Sequence, residues 1–191
     1  MTISDHEGAD RLLEETSRLW PDFEAAHWYR FVNAAFYGDP DQASKLIPSD
    51  KNAKDKVCWR AFIEARTKGG NAGRAAVRAA CDSAEWSNHD YTARMLAALG
   101  DTDGAYEVMQ NKSFDWDGAT VFLFYPEMKQ FRRDARFMPF VAGSGLVEYW
   151  LASENWPDFC ADKDQTYDCK TAAALVMKNM LTHRTEAASQ N

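Results

Sequence analysis

One short pattern, met three times, constrains this chain more than any other feature. FVNAAFYGDPDQASKLI surrounds Gly38, IEARTKGGNAGRAAVRA surrounds Gly70, and MLAALGDTDGAYEVM surrounds Gly100. The three glycines stand 32 and 30 residues apart, and each has an Ala five residues on: Ala43, Ala75 and Ala105. A fixed period of this size marks stacked supersecondary units. A helix that ends needs a residue tolerant of a left-handed backbone, and Gly is the least penalised choice. The side chain of Asp39, Asn71 or Asp101 would then cap the next helix. The small Ala would lie where the two helices of a hairpin cross. The pattern therefore predicts helix 22–37 paired with 40–47, 54–68 with 72–85, and 88–99 with 102–111. An earlier helix over 8–19 would pack on the first pair. The same turns recurring in an ordinary helical bundle is the competing explanation.

Composition agrees with an all-α chain. Only 10 Gly and 6 Pro interrupt 191 residues, Ala is abundant, and alternating β-branched runs are nearly absent. Hydrophobic residues at 46% are enough to fill a core. Seven Trp and eleven Phe are a high aromatic load for this length. Acids outnumber Lys plus Arg by 29 to 22, a formal charge of −7 that argues against a general nucleic-acid binder. No run of about 18 apolar residues exists to cross a membrane.

The period and the G-x-x-x-x-A turn resemble tetratricopeptide repeats (TPR). Trp59 and Phe62 fall where that family carries large residues in its first helix. His27 with Arg30, and His89 with Thr92, occupy those places in the other copies, and Pro48 stands for the proline between repeats. The resemblance implies a TPR-like α-α superhelix over 1–112. It also implies a concave groove that takes a peptide or a partner helix. Carried through the Gly register, the groove-lining positions are Trp28, Arg60, Glu64, Lys68, Asp90 and Arg94.

After residue 112 the repeat stops. The stretch YPEMKQFRRDARFMPFVAGSGLVEYWLASENWPDFC carries Pro126, Arg133, Asp134, Arg136, Phe137, Gly145, Leu146, Tyr149, Trp150, Pro157, Asp158, Phe159 and Cys160. Tyr167, Asp168 and Cys169 follow. It resembles the C-terminal ends of TPR regions in bacterial signalling proteins, found beside winged-helix regulators, class III nucleotide cyclases and TolB-like segments. The resemblance implies a setting in signalling or transcriptional control. Physically, 113–169 reads as an aromatic cap, since an end repeat needs cover for its apolar face. Phe131, Phe137, Phe140, Tyr149, Trp150, Trp156 and Phe159 would supply it. Arg133 and Arg136 flank Asp134 and read as a surface ion pair. The last part, 170–191, reads as a helix with Leu175, Val176, Met180 and Leu181 on it, then a frayed tail.

Motifs for chemistry are missing. The four cysteines, Cys58, Cys81, Cys160 and Cys169, have no paired spacing for zinc. Cys58 and Cys81 read as small buried hydrophobes within helices. Cys160 and Cys169 bracket the polar loop ADKDQTYD and are candidates for a disulfide, which would persist only in an oxidising compartment. His6, His27, His89 and His183 sit in no nucleophile or metal motif. GGNAGRAA lacks the Lys and Ser/Thr of a phosphate loop. SFDWDG at 113–118 and DTDG at 101–104 lack the acids that complete a calcium loop. The expectation is a non-catalytic module without cofactor or metal that binds another protein. A small-molecule sensor with an aromatic pocket is the first alternative, and a helical enzyme subunit the second. With no export pattern at the N-terminus, the cytoplasm is the expected compartment and the periplasm the alternative.

Overall fold

The computed structural model describes residues 5–49, 53–81, 89–110 and 119–188. Among them the chain forms eleven α-helices and no strand. They are α1 His6–Leu19, α2 Glu24–Tyr37, α3 Pro40–Lys45, α4 Ala53–Lys68, α5 Gly70–Cys81, α6 His89–Ala98, α7 Thr102–Gln110, α8 Lys129–Arg133, α9 Phe137–Ala142, α10 Leu146–Ser153 and α11 Cys169–Ala188. Short 3-10 segments cover Ala119–Phe124, Pro126–Met128 and Asp158–Ala161. No helix among the described residues is long and apolar enough to cross a membrane. The chain divides into two compact units, one reaching to Met128 and one starting at Lys129. That division falls inside 113–169, the stretch read from sequence as one closing segment.

In the first unit each helix from α1 to α7 packs against the next, and the segments Ala119–Phe124 and Pro126–Met128 pack on α6. The seven helices lie where the glycine pattern puts them. The register within them differs by one residue. Gly69, not Gly70, is the equivalent of Gly38 and Gly100, which makes both spacings 31 residues. Phe31, Phe62 and Ala93, again 31 apart, are all fully buried at the same level of α2, α4 and α6.

The turns are not three copies of one backbone. Gly69 and Gly100 are left-handed, with φ of 66° and 73°. Gly38 is extended, with φ −87° and ψ −168°. It is Gly because a side chain there would meet the Ala34 backbone at 3.0 Å. The small residue at the helix crossing also shifts. It is the fourth residue of each second helix: Ala43 in α3, Gly73 in α5 and Ala105 in α7. Ala75, the expected position, is exposed. Gly73 takes its place, and a Cβ on it would stand 3.0 Å from the Ala65 methyl. The cause is a shorter link: α4 and α5 are joined by Gly69 alone, so α5 starts one residue early. Asn71 then lies inside α5 rather than capping it. Asp39 and Asp101 do cap, accepting from Gln42 N at 2.9 Å and Gly104 N at 3.0 Å.

Helix C-termini leave carbonyls without partners. Arginines from neighbouring helices supply donors here. Arg66 of α4 donates to the carbonyls of Ala34, Ala35 and Gly38 at the end of α2. Arg74 of α5 donates to Leu99 O beyond α6. Arg78 grips Asp101 through two nitrogens and reaches Glu107 at 2.7 Å. A guanidinium fork suits this use because its charge also opposes the negative end of the helix dipole.

Cys58 and Cys81 are bonded to each other, not two separate small hydrophobes. They lie equally far from the Gly69–Gly70 turn on antiparallel α4 and α5, so their Cα atoms come within 4.9 Å. The hairpin is thus closed by a turn at one end and a crosslink at the other.

The second unit has its own core of Phe131, Phe137, Met138, Val141, Val147, Trp150 and Phe159. Tyr149 is 55% exposed and contributes nothing to it. Arg136 takes Asp134 at 2.7 Å, whereas Arg133 turns to Asp164 at 3.3 Å. Cys160 and Cys169 are bonded. The loop they close covers the end of α8: Gln165 and Tyr167 donate to Arg132 O, and Thr166 to Arg133 O. On α11, Ala173 is buried while Leu175 and Leu181 are more than half exposed.

Candidate functional site

The buried face of the first unit is aromatic. Trp59 stands at its centre, edge-on to Phe31 at 4.8 Å and Trp28 at 5.7 Å between ring centroids. Tyr91 of α6 meets Trp59 at 5.2 Å, and its hydroxyl oxygen accepts from Trp28 Nε1 at 3.2 Å. Beside this cluster lies an ion pair withdrawn from water. Arg94 Nε donates to Glu127 Oε1 at 2.6 Å, with both side chains only 4% exposed. Tyr37 O–H donates to the other carboxylate oxygen at 2.5 Å.

Aromatic rings enclose the Arg94 guanidinium. Its carbon lies 4.3 Å from the Phe36 ring centre, 4.1 Å from Tyr125 and 5.1 Å from Tyr91. Desolvated cation–π contacts of this kind are worth about 2 kcal/mol or more. The site is polarised in the expected directions. Burial, then the Glu127 carboxylate, holds the Tyr37 hydroxyl protonated far above the usual phenol range. Burial likewise raises Tyr91 and the Asp90 carboxyl.

A half-enclosed cleft of about 350 Å³ opens against this arrangement. Asp5, His6, Ala9 and Leu13 of the α1 region form one wall, Tyr29, Val32, Asn33 and Tyr37 of α2 another. Tyr91, Arg94 and Tyr125 close it. The start of α1 is fixed over the cleft. Asp5 caps it by accepting from Gly8 N at 2.7 Å, Asn33 Nδ2 donates to His6 O at 3.2 Å, and the His6 ring stacks on Tyr37 at 3.8 Å. Arg30 adds ion pairs to Glu14 and Asp10.

The six groove positions read from sequence do not form one surface. Trp28, Asp90 and Arg94 face inward, into or beside the aromatic cluster. Arg60, Glu64 and Lys68 are exposed on α4, where Lys68 pairs with Glu64 at 3.0 Å. The one-residue register slip accounts for the split, because one residue turns a helix by about 100°. The α4 residues equivalent to Trp28 and Arg94 are Trp59 and Ile63, both buried.

Nothing in the sequence singles out Tyr37, Tyr125 or Glu127. Tyr91 and Arg94, three apart on one helix face, offered a signal. Glu127 follows Pro126 in an irregular stretch, where no periodicity points inward. Among the described residues no group of three or more His, Cys, Asp or Glu could hold a metal ion. The 113–118 stretch lies outside the described residues, while Asp101 of the 101–104 stretch is the cap of α7. Comparison with known protein families, curated proteins and solved structures returns no match.

Proposed function

We propose that this chain is a non-catalytic recognition module built on TPR-like helix pairs, and that its recognition site is the tyrosine-walled cleft at Arg94. One observation carries the reading: a half-enclosed space of about 350 Å³ with aromatic walls and a few convergent polar groups. That is the size and lining of a small-molecule site. The occupant is accordingly a small molecule rather than an extended peptide. A protein partner along the exposed Arg60, Glu64 and Lys68 face is the second reading, favoured by the exposure of those charges on one helix.

The module works in an oxidising compartment such as the periplasm. All four cysteines are paired, and crosslinks of this kind persist where thiols are not kept reduced. The likeness of 126–169 to the ends of TPR regions supports a role in bacterial signalling or regulation.

The test is a thermal-shift screen of a metabolite library on the oxidised protein, run in parallel on Ala9→Trp, which fills the cleft from α1. Compounds should raise the melting temperature of the parent and leave the filled variant unmoved. Equal shifts in both proteins would refute the site. A protein partner whose binding is lost on reversing Arg60 and Lys68, with no small-molecule hit, would favour the second reading.

A further inference from the structure

The polar groups of the cleft point to a chemical class of ligand. The five N–H bonds of a guanidinium lie in its plane. The Arg94 guanidinium carbon lies over the Phe36 and Tyr125 rings, 4.3 Å and 4.1 Å from their centres. Glu127 takes Nε–H, and the Tyr37 oxygen is the other hydrogen-bonding atom beside it. The side chain, 4% exposed, forms part of the cleft lining, where its remaining in-plane donors can meet a ligand acceptor. Tyr91 adds a second donor. Its oxygen accepts from Trp28, so its own proton is left to give.

One acceptor completes the set. Asn33 uses Nδ2 on His6 O, which leaves Oδ1 to accept. The site therefore offers donors at Arg94 and Tyr91 and an acceptor at Asn33, between tyrosine rings.

Charge narrows the class further. The Arg94 cation is already matched by Glu127, Asp90 lies within electrostatic reach of it, and Asp5 lines the same cleft. A ligand anion would meet those carboxylates, and a ligand cation would meet the arginine donors.

We infer that the cleft binds an uncharged planar amide or lactam, its carbonyl oxygen taking the Arg94 and Tyr91 donors and its N–H reaching Asn33 Oδ1. The inference rests on the reading of the cleft as the recognition site. The tyrosine walls supply offset stacking for a flat ring, the geometry aromatic pairs favour.

Three probes of one shape separate the classes: benzamide, benzoate and benzylammonium. Each is titrated into the oxidised full chain, with backbone and methyl NMR shifts of Ala9, Leu13, Val32 and Asn33 as the readout. Benzamide should move these signals and bind at least tenfold more tightly than either charged probe. Tyr91→Phe, which keeps the ring and removes the donor, should weaken benzamide about five- to tenfold while the protein stays folded, with a slightly lower melting temperature because Trp28 Nε1 loses its acceptor. Asn33→Asp should weaken benzamide while leaving benzylammonium unchanged or stronger. Benzoate or benzylammonium binding tightest at the same residues would overturn the ligand class and leave the cleft as a recognition site. Shifts confined to other residues, or none with any probe, would overturn the class and the site together.

Discussion

Removing Glu127 is the sharpest perturbation of the site. In Glu127→Ala the Arg94 guanidinium stays at 4% exposure with no carboxylate at 2.6 Å, and Tyr37 loses the acceptor at 2.5 Å. The ring contacts to Phe36, Tyr91 and Tyr125 survive and offset part of the loss. Breaking one side of a buried pair costs about 3–5 kcal/mol, because the remaining charge is left in a poor solvent. With a urea m-value of about 2 kcal/mol/M, the unfolding midpoint should fall by roughly 2 M. Replacing both partners by Met should restore most of that loss, since two apolar side chains carry no desolvation penalty. The assay is equilibrium urea unfolding of the oxidised protein, followed by Trp fluorescence and by helical circular dichroism. A loss under about 1 kcal/mol for Glu127→Ala would show that water reaches the pair. A double Met variant as weak as the single one would show that the pair itself is a net stabiliser.

Four further outcomes follow from the same geometry. Cys58→Ala with Cys81→Ala should cost about 3.4 kcal/mol, and the Cys160, Cys169 pair about 2.7 kcal/mol, from the loop lengths in the chain-entropy treatment. Scanning calorimetry with and without reductant checks both, and no change on reduction would refute the crosslinks. Gly73→Val should destabilise by more than about 2 kcal/mol in urea melts, because its Cβ would stand 3.0 Å from Ala65, whereas Ala75→Val should change stability by less than about 0.5 kcal/mol. Arg66→Met should lower stability by about 2–3 kcal/mol, measured the same way, since the Ala35 and Gly38 carbonyls at the end of α2 lose their donor and Ala34 O keeps only Gly38 N–H. Tyr37, Tyr91 and Tyr167 are raised above the ordinary phenol range. The unfolded chain therefore loses those protons first, so stability is full below about pH 10 and falls as pH rises beyond it. Ultraviolet titration should find these phenols ionising late, only as helicity is lost, and early ionisation of all seven tyrosines would contradict their burial.

Helix positions were legible because helix ends need glycine, caps and small crossing residues, and those are local requirements written in local residues. The three turns could be read from Gly38, Gly100 and the Gly69–Gly70 pair. Which glycine of that pair set the register could not, since both adopt positive φ. That one-residue ambiguity put Arg60, Glu64 and Lys68 on the exposed side of α4, while Trp28, Asp90 and Arg94 lie in or beside the aromatic cluster. The Cys58–Cys81 bond was readable in retrospect from its symmetry about the turn. The Arg94–Glu127 pair was not, because the partner comes from an irregular stretch 33 residues away. A contact of that kind is fixed by packing, and no period or motif records it.

The central proposal is that small molecules meet this chain in the cleft at Arg94. Amide and methyl NMR spectra of the oxidised full chain, recorded against a fragment library, test that most directly. The account predicts that the perturbed signals gather at Ala9, Leu13, Tyr29, Val32, Asn33 and Tyr91, and vanish in Ala9→Trp. Perturbations gathered along Arg60, Glu64 and Lys68, with the cleft signals unmoved, would contradict it.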